Sequence, residues 1–109
     1  MAKETLGNLE LMVLLALLRI DNAYGVPISH EIRKRTGRDV AIGSVYAALE
    51  RLERKGLVSS ALGDPSPERG GRAKRYFQIT AKGTRDVRDA QRMLANMWRN
   101  LAVLKGEPA

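Results

Sequence analysis

The spacing of apolar residues along this chain of 109 residues changes at Gly56. Before Gly56, apolar side chains recur every three or four residues in three segments, which is the period of an α-helix with one buried face. After Gly56, two short runs rich in branched and aromatic residues, 57–62 and 75–79, flank a loop containing glycine and proline. Such runs are typical of a β-hairpin. The order of the two patterns predicts a mainly α protein with a small β-hairpin.

Each helical segment before Gly56 has residues that favour its ends. The first segment runs from residue 6 or 8 to residue 20 and is apolar on nearly every side. A second subunit is one source of the cover that such a helix needs. The second segment places Pro27 at an early helical position and ends at Gly37. The third begins near Ser44, a residue type that caps helix N-termini.

A last helix is predicted after the hairpin, with Thr80 as its N-cap. Its apolar residues alternate at spacings of three and four, which is the seam spacing of a coiled coil. The seam consists of Val87, Ala90, Leu94, Met97, Leu101 and Leu104. We therefore expect this helix to pair with a second copy of the chain, which makes the protein a homodimer.

Composition limits the classes of protein to which the chain can belong. Without cysteine it forms no disulfide and has no thiolate ligand or thiol nucleophile, which fits a cytoplasmic location. Its only long apolar run, 11–18, is about 10 residues too short to span a bilayer. The run also lacks the flanks of a signal peptide. We expect a soluble protein that does not bind membranes.

Residues suited to catalysis are sparse. The one histidine, His30, has no companion at ligand spacing, and the carboxylates form no recognisable pair. The glycine-rich phosphate loop and the serine elbow are also missing from the sequence. We therefore expect neither an enzyme nor a metal site, and no cofactor.

Positive charge is concentrated in two stretches of the chain. The formal net charge is +7, and residues 33–55 carry seven basic and three acidic side chains. Residues 69–92 carry eight basic and two acidic side chains. These stretches contain the third helix and the hairpin. Three helices followed by a hairpin form a winged helix-turn-helix, whose third helix fits the major groove of DNA, about 12 Å wide. Double-stranded DNA is therefore the predicted partner.

The predicted DNA contacts come from both basic stretches. The third helix offers Ser44, Tyr46 and Ala47 to base edges, and Arg51 and Arg54 to the backbone. The hairpin offers Arg69, Arg72, Lys74 and Arg75 to phosphates or to the minor groove.

Two alternatives stay open at this point. Tyr46 is equally well explained as a half-buried core residue, because tyrosine serves in both roles. The whole chain could instead be an adaptor that binds another protein through its last helix and does not bind DNA. A salt titration separates these functions, since only a DNA-binding protein loses affinity for DNA steeply with salt.

Four motifs follow one another at a characteristic spacing. They are Leu-Gly-Asn-Leu-Glu-Leu at 6–11, Ala-Tyr-Gly at 23–25, Gly-Ser-Val-Tyr at 43–46 continuing into 49–58, and Gly-Arg-Ala-Lys-Arg-Tyr at 71–76 before Ile-Thr at 79–80. Over residues 6 to about 83 the chain resembles the PadR family of transcriptional regulators. Its single C-terminal helix resembles the short-form members. We accordingly expect one compact domain with a winged-helix DNA-binding region at 1–80 and a dimerisation helix and tail at 81–109.

The resemblance also implies a mode of regulation. Members of the family are dimeric repressors that bind near-palindromic operators and are often released by a small effector. Short-form members can bind flat hydrophobic compounds between their subunits, which makes Met93, Met97 and Trp98 candidate effector residues. For Trp98 the pattern alone favours interface packing over ligand stacking. Two residues depart from the family pattern, because Ala47 replaces a common proline and Phe77 a common tyrosine.

Overall fold

The computed structural model of the protein describes residues 6–63 and 73–106. Within these ranges three helices precede a two-stranded antiparallel hairpin, and a fourth helix and a short 3-10 helix follow it. The elements are α1 (Asn8–Ile20), α2 (Gly25–Thr36), α3 (Ile42–Arg54), β1 (Val58–Leu62), β2 (Arg75–Ile79), α4 (Ala81–Trp98) and the 3-10 helix (Ala102–Lys105). The predicted mainly α fold with a small hairpin is confirmed.

The core lies where α1 meets the other elements. α1 contacts α2, α3, α4 and β2, so most of its apolar surface is covered within one protomer. Leu15 and Leu18 are exceptions and stay exposed. The buried hydrophobic residues are Val13, Leu14, Ala16, Leu17, Ala23, Ile28, Ile32, Val45, Ala48, Leu49, Leu52, Leu57, Val58, Phe77 and Val87.

A backbone bridge attaches the hairpin to the helices. The Ala23 amide donates to the Phe77 carbonyl (3.0 Å), and the Phe77 amide donates to the Ala23 carbonyl (2.8 Å). The connection between α1 and α2 thus pairs with β2 on the strand's second edge. Phe77 is buried there, so a tyrosine hydroxyl at this position would need a partner in the core.

α3 begins two residues before the predicted start. Its N-cap is Ala41, which makes no side-chain capping bond, and Ser44 lies inside the first turn. The preceding residue is anchored instead, because the Ser29 hydroxyl donates to the Val40 carbonyl (2.9 Å) and Val40 packs against the core. This tertiary anchor, rather than a capping side chain, determines where the helix starts.

α4 begins as predicted, at Thr80. The Thr80 hydroxyl accepts a hydrogen bond from the Gly83 amide (3.0 Å), which satisfies one of the unpaired donors of the first turn. Gly83 packs directly against the Leu57 carbonyl, and a β-carbon at residue 83 would overlap that oxygen. The glycine therefore allows α4 to start in close contact with the base of the hairpin.

The predicted seam is wrong at both ends. α4 stops at Trp98, because its C-cap Arg99 takes an extended backbone conformation (ψ 133°), and Asn100 then adopts the left-handed conformation (φ 61°) that this residue type tolerates. Leu101 and Leu104 consequently lie after the helix rather than on its seam. Val87 is buried in the core of its own protomer and is not available to a partner.

A buried carboxylate connects α1 to α3. Glu10 accepts hydrogen bonds from the Gly7 amide (2.8 Å) and the Lys55 ammonium (3.0 and 3.1 Å), and Arg51 approaches to 3.4 Å. Burial alone would raise the pKa of Glu10, but the Gly7 hydrogen bond and the two cations outweigh burial and lower it. The carboxylate therefore stays charged where α1 meets the end of α3.

We expect Glu10→Gln to lower the free energy of unfolding at pH 7 by about 1–3 kcal/mol, the range for a disrupted buried hydrogen bond. Glutamine can keep the bond from Gly7 but loses the attraction to Lys55 and Arg51. Urea unfolding followed by circular dichroism measures the difference. Asp39→Asn is the matched control, because its pair with Arg33 is exposed on both sides and contributes only about 0.2–1 kcal/mol.

The wild type and Glu10→Gln also test whether the charge of Glu10 stabilises the fold. Because the folded-state pKa is lowered, its stabilisation is present above the unfolded-state pKa, near 4.5, and is lost as the pH falls through the folded-state pKa. The stability difference between wild type and Glu10→Gln should therefore close in acid. A difference that persisted at low pH would contradict a role for the charge.

Candidate nucleic-acid interface

One face of α3 is exposed along the whole helix. Val45, Ala48, Leu49 and Leu52 are buried on the opposite side. The spacing of 3.6 residues per turn places one stripe directly outward. This outward stripe consists of Gly43, Ala47, Glu50 and Arg54, all exposed.

The other predicted contacts of α3 lie on the two sides of this stripe. Ser44 borders a groove shared with Asn8 and Met12 of α1. Arg51 is on the same side and pairs with Glu10. Ala47 and Arg54 are thus the predicted contacts that point outward, whereas Ser44 and Arg51 point toward α1.

Tyr46 faces the hairpin on the opposite side. Its hydroxyl accepts a hydrogen bond from the Gly25 amide (3.1 Å), and its ring packs edge-on against Phe77 at 6.3 Å between centroids. Gly25 is required here, because a β-carbon at this position would overlap the Tyr46 ring. The half-buried tyrosine therefore connects α3 to the start of α2, and a contact with DNA stays a prediction.

A shallow groove separates the start of α3 from the loop end of the hairpin, where the chain enters β2. It is lined by Tyr24, Val26, Ile42, Tyr46, Ala73, Lys74 and Arg75. The exposed start of the predicted recognition helix and two predicted hairpin cations thus border one surface. This groove is the feature that brings the predicted site residues together.

Both cations are held by neighbouring side chains. The Lys74 ammonium lies 3.8 Å from the centroid of the Tyr24 ring. The Arg75 guanidinium donates to the Ser60 hydroxyl (2.9 Å), which itself donates to Glu53 of α3 (2.5 Å). Arg69 and Arg72, the other two predicted hairpin contacts, lie outside the described residues.

The sequence does not indicate Tyr24 or Ile42 as part of this surface. Tyr24 is expected from the sequence to pack at a turn, and 50 residues of chain separate it from Lys74. Its location follows only from the pairing of Ala23 with β2. Ile42 is exposed because α3 starts earlier than predicted, so its place on this surface follows only from the observed start of the helix.

A second surface is formed by the exposed part of α4. Residues 92–100 are all exposed, and among them Met97 and Trp98 have 73% and 62% of their surface accessible. Leu94 and Met93 continue this apolar strip. Contiguous exposed apolar residues of this kind are typical of surfaces that associate or bind ligands.

The described residues were also compared with the patterns of metal sites and of membrane-spanning helices. In 6–63 and 73–106, no group of three or more histidine, cysteine, aspartate or glutamate side chains could hold a metal ion. No helix in these ranges has the length and apolar character needed to cross a membrane.

Comparison with known proteins identifies the family. The model of the PadR-like family of transcriptional regulators matches residues 14–89. An uncharacterized protein from Lysinibacillus sphaericus is 38% identical over 79 residues, which are 71% of this chain and 69% of that protein.

Solved structures share the fold. A PadR-like transcriptional regulator from Bacillus cereus is 26% identical with a TM-score of 0.67, over 85% of this chain and 89% of that one. A PadR-family regulator from Clostridium difficile is 22% identical with a TM-score of 0.70, over 84% and 91% of the two chains. The fold is thus that of winged-helix regulators, and the family match covers α1 from Leu14, α2, α3, the hairpin and half of α4. This chain belongs to the PadR-like family of transcriptional regulators.

Proposed function

We propose that the protein is a sequence-specific DNA-binding repressor that occupies a near-palindromic operator as a homodimer and is released by a small aromatic effector. The observation that carries this proposal is the groove shared by the start of α3 and the loop end of the hairpin. A helix and an adjacent basic hairpin can contact the major groove and the neighbouring backbone at the same time.

The outward stripe of α3 has the chemistry for reading bases. Gly43 and Ala47 are small, so the helix can approach the base edges closely, and the Ala47 methyl suits a thymine methyl group. Glu50 can accept a hydrogen bond from the amino group of cytosine. Lys74 and Arg75 would bind phosphates, which positions the helix without reading sequence.

Dimerisation would cover the exposed strip of α4. Its apolar residues Leu94 and Met97 lie on one side of the helix, and α1 adds the exposed Leu15 and Leu18. Burying such side chains stabilises an interface by about 1.5–3 kcal/mol for each one fully covered. A second copy of the chain supplies a surface of the same kind, as two-fold symmetry requires.

The effector would bind at the same interface. Trp98 is exposed in the protomer, beside the flexible Met93 and Met97. Two symmetry-related indoles can stack on a flat ligand, while methionine adapts to its outline. A ligand there would change DNA affinity by changing the distance between the two α3 helices, which must match half-sites about 34–36 Å apart.

The first prediction concerns the binding of phosphates. Arg75→Ala should weaken binding to any duplex and reduce the slope of log affinity against log salt by about 0.9 for each phosphate that the protein no longer neutralises. Arg99→Ala is the matched control, because it removes the same charge from an exposed residue after α4, outside the groove. Fluorescence anisotropy at several salt concentrations measures both. Equal slopes for the two variants would exclude the hairpin from the interface.

Base reading by α3 is tested in the same assay. Selection of bound duplexes from a random pool by wild type should give a two-fold symmetric sequence, and Ala47→Ser should change the preferred base at one position of each half. If wild type bound no duplex at any salt concentration, the protein-binding adaptor would be the better interpretation.

The second prediction concerns the dimer. Leu94→Asp combined with Met97→Asp should give a folded monomer, because both side chains are exposed in the protomer and lie on the proposed interface. Asn96→Asp is the control, since residue 96 lies on the opposite side of α4 and is also exposed. Light scattering gives the mass of each variant. A double variant that remained dimeric would remove α4 from the interface.

The third prediction concerns the effector. A planar aromatic dye should quench the fluorescence of Trp98, the only tryptophan, in a saturable way and weaken DNA binding over the same concentration range. Stacking between two rings contributes about 0.5–1.5 kcal/mol for each pair, so Trp98→Ala should bind the dye more weakly when the dye's own emission is followed. Quenching without an effect on DNA affinity would argue against an effector site.

A further inference from the structure

We propose that Tyr24 is a positioning residue of the DNA interface, whose ring holds the Lys74 ammonium at the loop end of the hairpin beside the start of α3. The inference rests on the proposed function and adds a residue to it. Tyr24 lies at the junction of the helices and the hairpin and lines the groove with Lys74. Its role would be to order a cation before DNA arrives.

The residues before and after Tyr24 are both anchored by hydrogen bonds of their backbones. Its preceding residue, Ala23, pairs with Phe77 through two backbone hydrogen bonds. Its following residue, Gly25, starts α2 and donates to the Tyr46 hydroxyl. With both neighbours anchored, the origin of the Tyr24 side chain is fixed relative to the helices and to β2.

An aromatic neighbour fixes the orientation of the ring. Tyr24 and Tyr76 meet edge to face, with centroids 5.6 Å apart and planes at 89°. This geometry is favourable because the positive edge of one ring meets the negative face of the other. Tyr76 itself packs against Gly63, where a β-carbon would overlap its ring. The rings of Tyr24 and Tyr76 thus form a fixed aromatic platform at the loop end of the hairpin.

Lys74 is held both at its backbone and at the end of its side chain. Its carbonyl accepts a hydrogen bond from the Gly63 amide (2.7 Å), which closes the described part of the hairpin. Its ammonium lies 3.8 Å from the Tyr24 centroid, within the range of a cation–π interaction. A free lysine has a flexible four-carbon stem, so these contacts select one of many conformations.

The position of the ammonium suits a phosphate of bound DNA. An ammonium has three donors and no acceptor, so the contact with the ring leaves hydrogens for another partner. The neighbouring groove wall includes Ile42 at the exposed start of α3. A phosphate beside a helix in the major groove would meet a cation that is already ordered, and binding would then cost less conformational entropy.

A double-mutant cycle tests the pairing of Tyr24 with Lys74. The probe is a mixed-sequence duplex of about 30 base pairs, long enough for two half-sites. A mixed sequence suffices, because the binding of phosphates does not depend on the sequence of the operator. Tyr24→Leu and Lys74→Met should each weaken binding, the former by about two- to fivefold per subunit, as expected for an exposed cation–π contact. The double variant should bind no more weakly than Lys74→Met, because the ring acts through that lysine.

Two further variants separate this role from a general effect on the fold. Tyr24→Phe keeps the ring and should bind as wild type does. Tyr76→Leu removes the edge contact that orients the ring, so any weakening that it causes should also disappear in the Lys74→Met background, whereas a general effect on the fold would add to that of Lys74→Met. Thermal unfolding establishes that each variant is folded. Independently of DNA, the ε-methylene protons of Lys74 should be shifted upfield by the ring in wild type and in Tyr24→Phe, but not in Tyr24→Leu.

The outcomes distinguish the inference from the function on which it rests. If wild type bound the duplex but the effects of Tyr24→Leu and Lys74→Met were additive, the inference would be wrong and the proposed function would stand. An unshifted Lys74 methylene in wild type would also overturn the inference. Failure of wild type to bind any duplex would instead overturn the proposed function, and the inference with it.

Discussion

The pairing of Ala23 with Phe77 joins the two halves of the DNA-binding region, and the geometry of the groove depends on it. A two-stranded hairpin is marginally stable by itself and needs a third strand or a helix to pack on. Ala23 supplies a short third strand, and the buried Phe77 side chain supplies the packing. Without this pairing, neither the cations of the hairpin nor the ring of Tyr24 would have a fixed position relative to α3.

The contacts of Tyr46 and Gly25 extend the same junction to the recognition helix. The hydroxyl of Tyr46 binds the first turn of α2 while its ring touches Phe77, so one side chain contacts both sides of the bridge. This explains why the segment needs glycine at residue 25. It also gives the Tyr46 of the motif at 43–46 a structural role that does not depend on DNA.

Periodicity predicted the elements of the fold because each buries a face of its own. The buried positions of α3 follow from spacing alone, Thr80 starts α4 through its side-chain cap, and Gly37 ends α2 in the left-handed conformation. The sequence failed at the start of α3, which depends on the distant bond between Ser29 and Val40. It also failed at the end of α4, where Arg99 and Asn100 leave the helical conformation although the apolar spacing continues to Leu104.

The candidate site was predictable in composition but not in arrangement. A basic hairpin next to a helix could be read from the chain, since charge and period are local properties. Which basic side chains point outward could not, because Arg51 is drawn toward α1 by Glu10, and Lys74 toward Tyr24. Both neighbours are far away in sequence.

α1 provides a physical connection between the proposed dimer surface and the recognition helix. It exposes Leu15 and Leu18, while near its start Glu10 binds Lys55 at the end of α3. A helix is stiff over 13 residues, and a buried ion pair resists separation because each charge would be left without its partner. A displacement of α1 at the subunit interface would therefore move the end of α3 with it, rather than being absorbed between the two helices. In the proposed two-fold dimer the displacement would occur twice, so small shifts at α1 would change the separation of the two recognition helices, the quantity on which binding to paired half-sites depends.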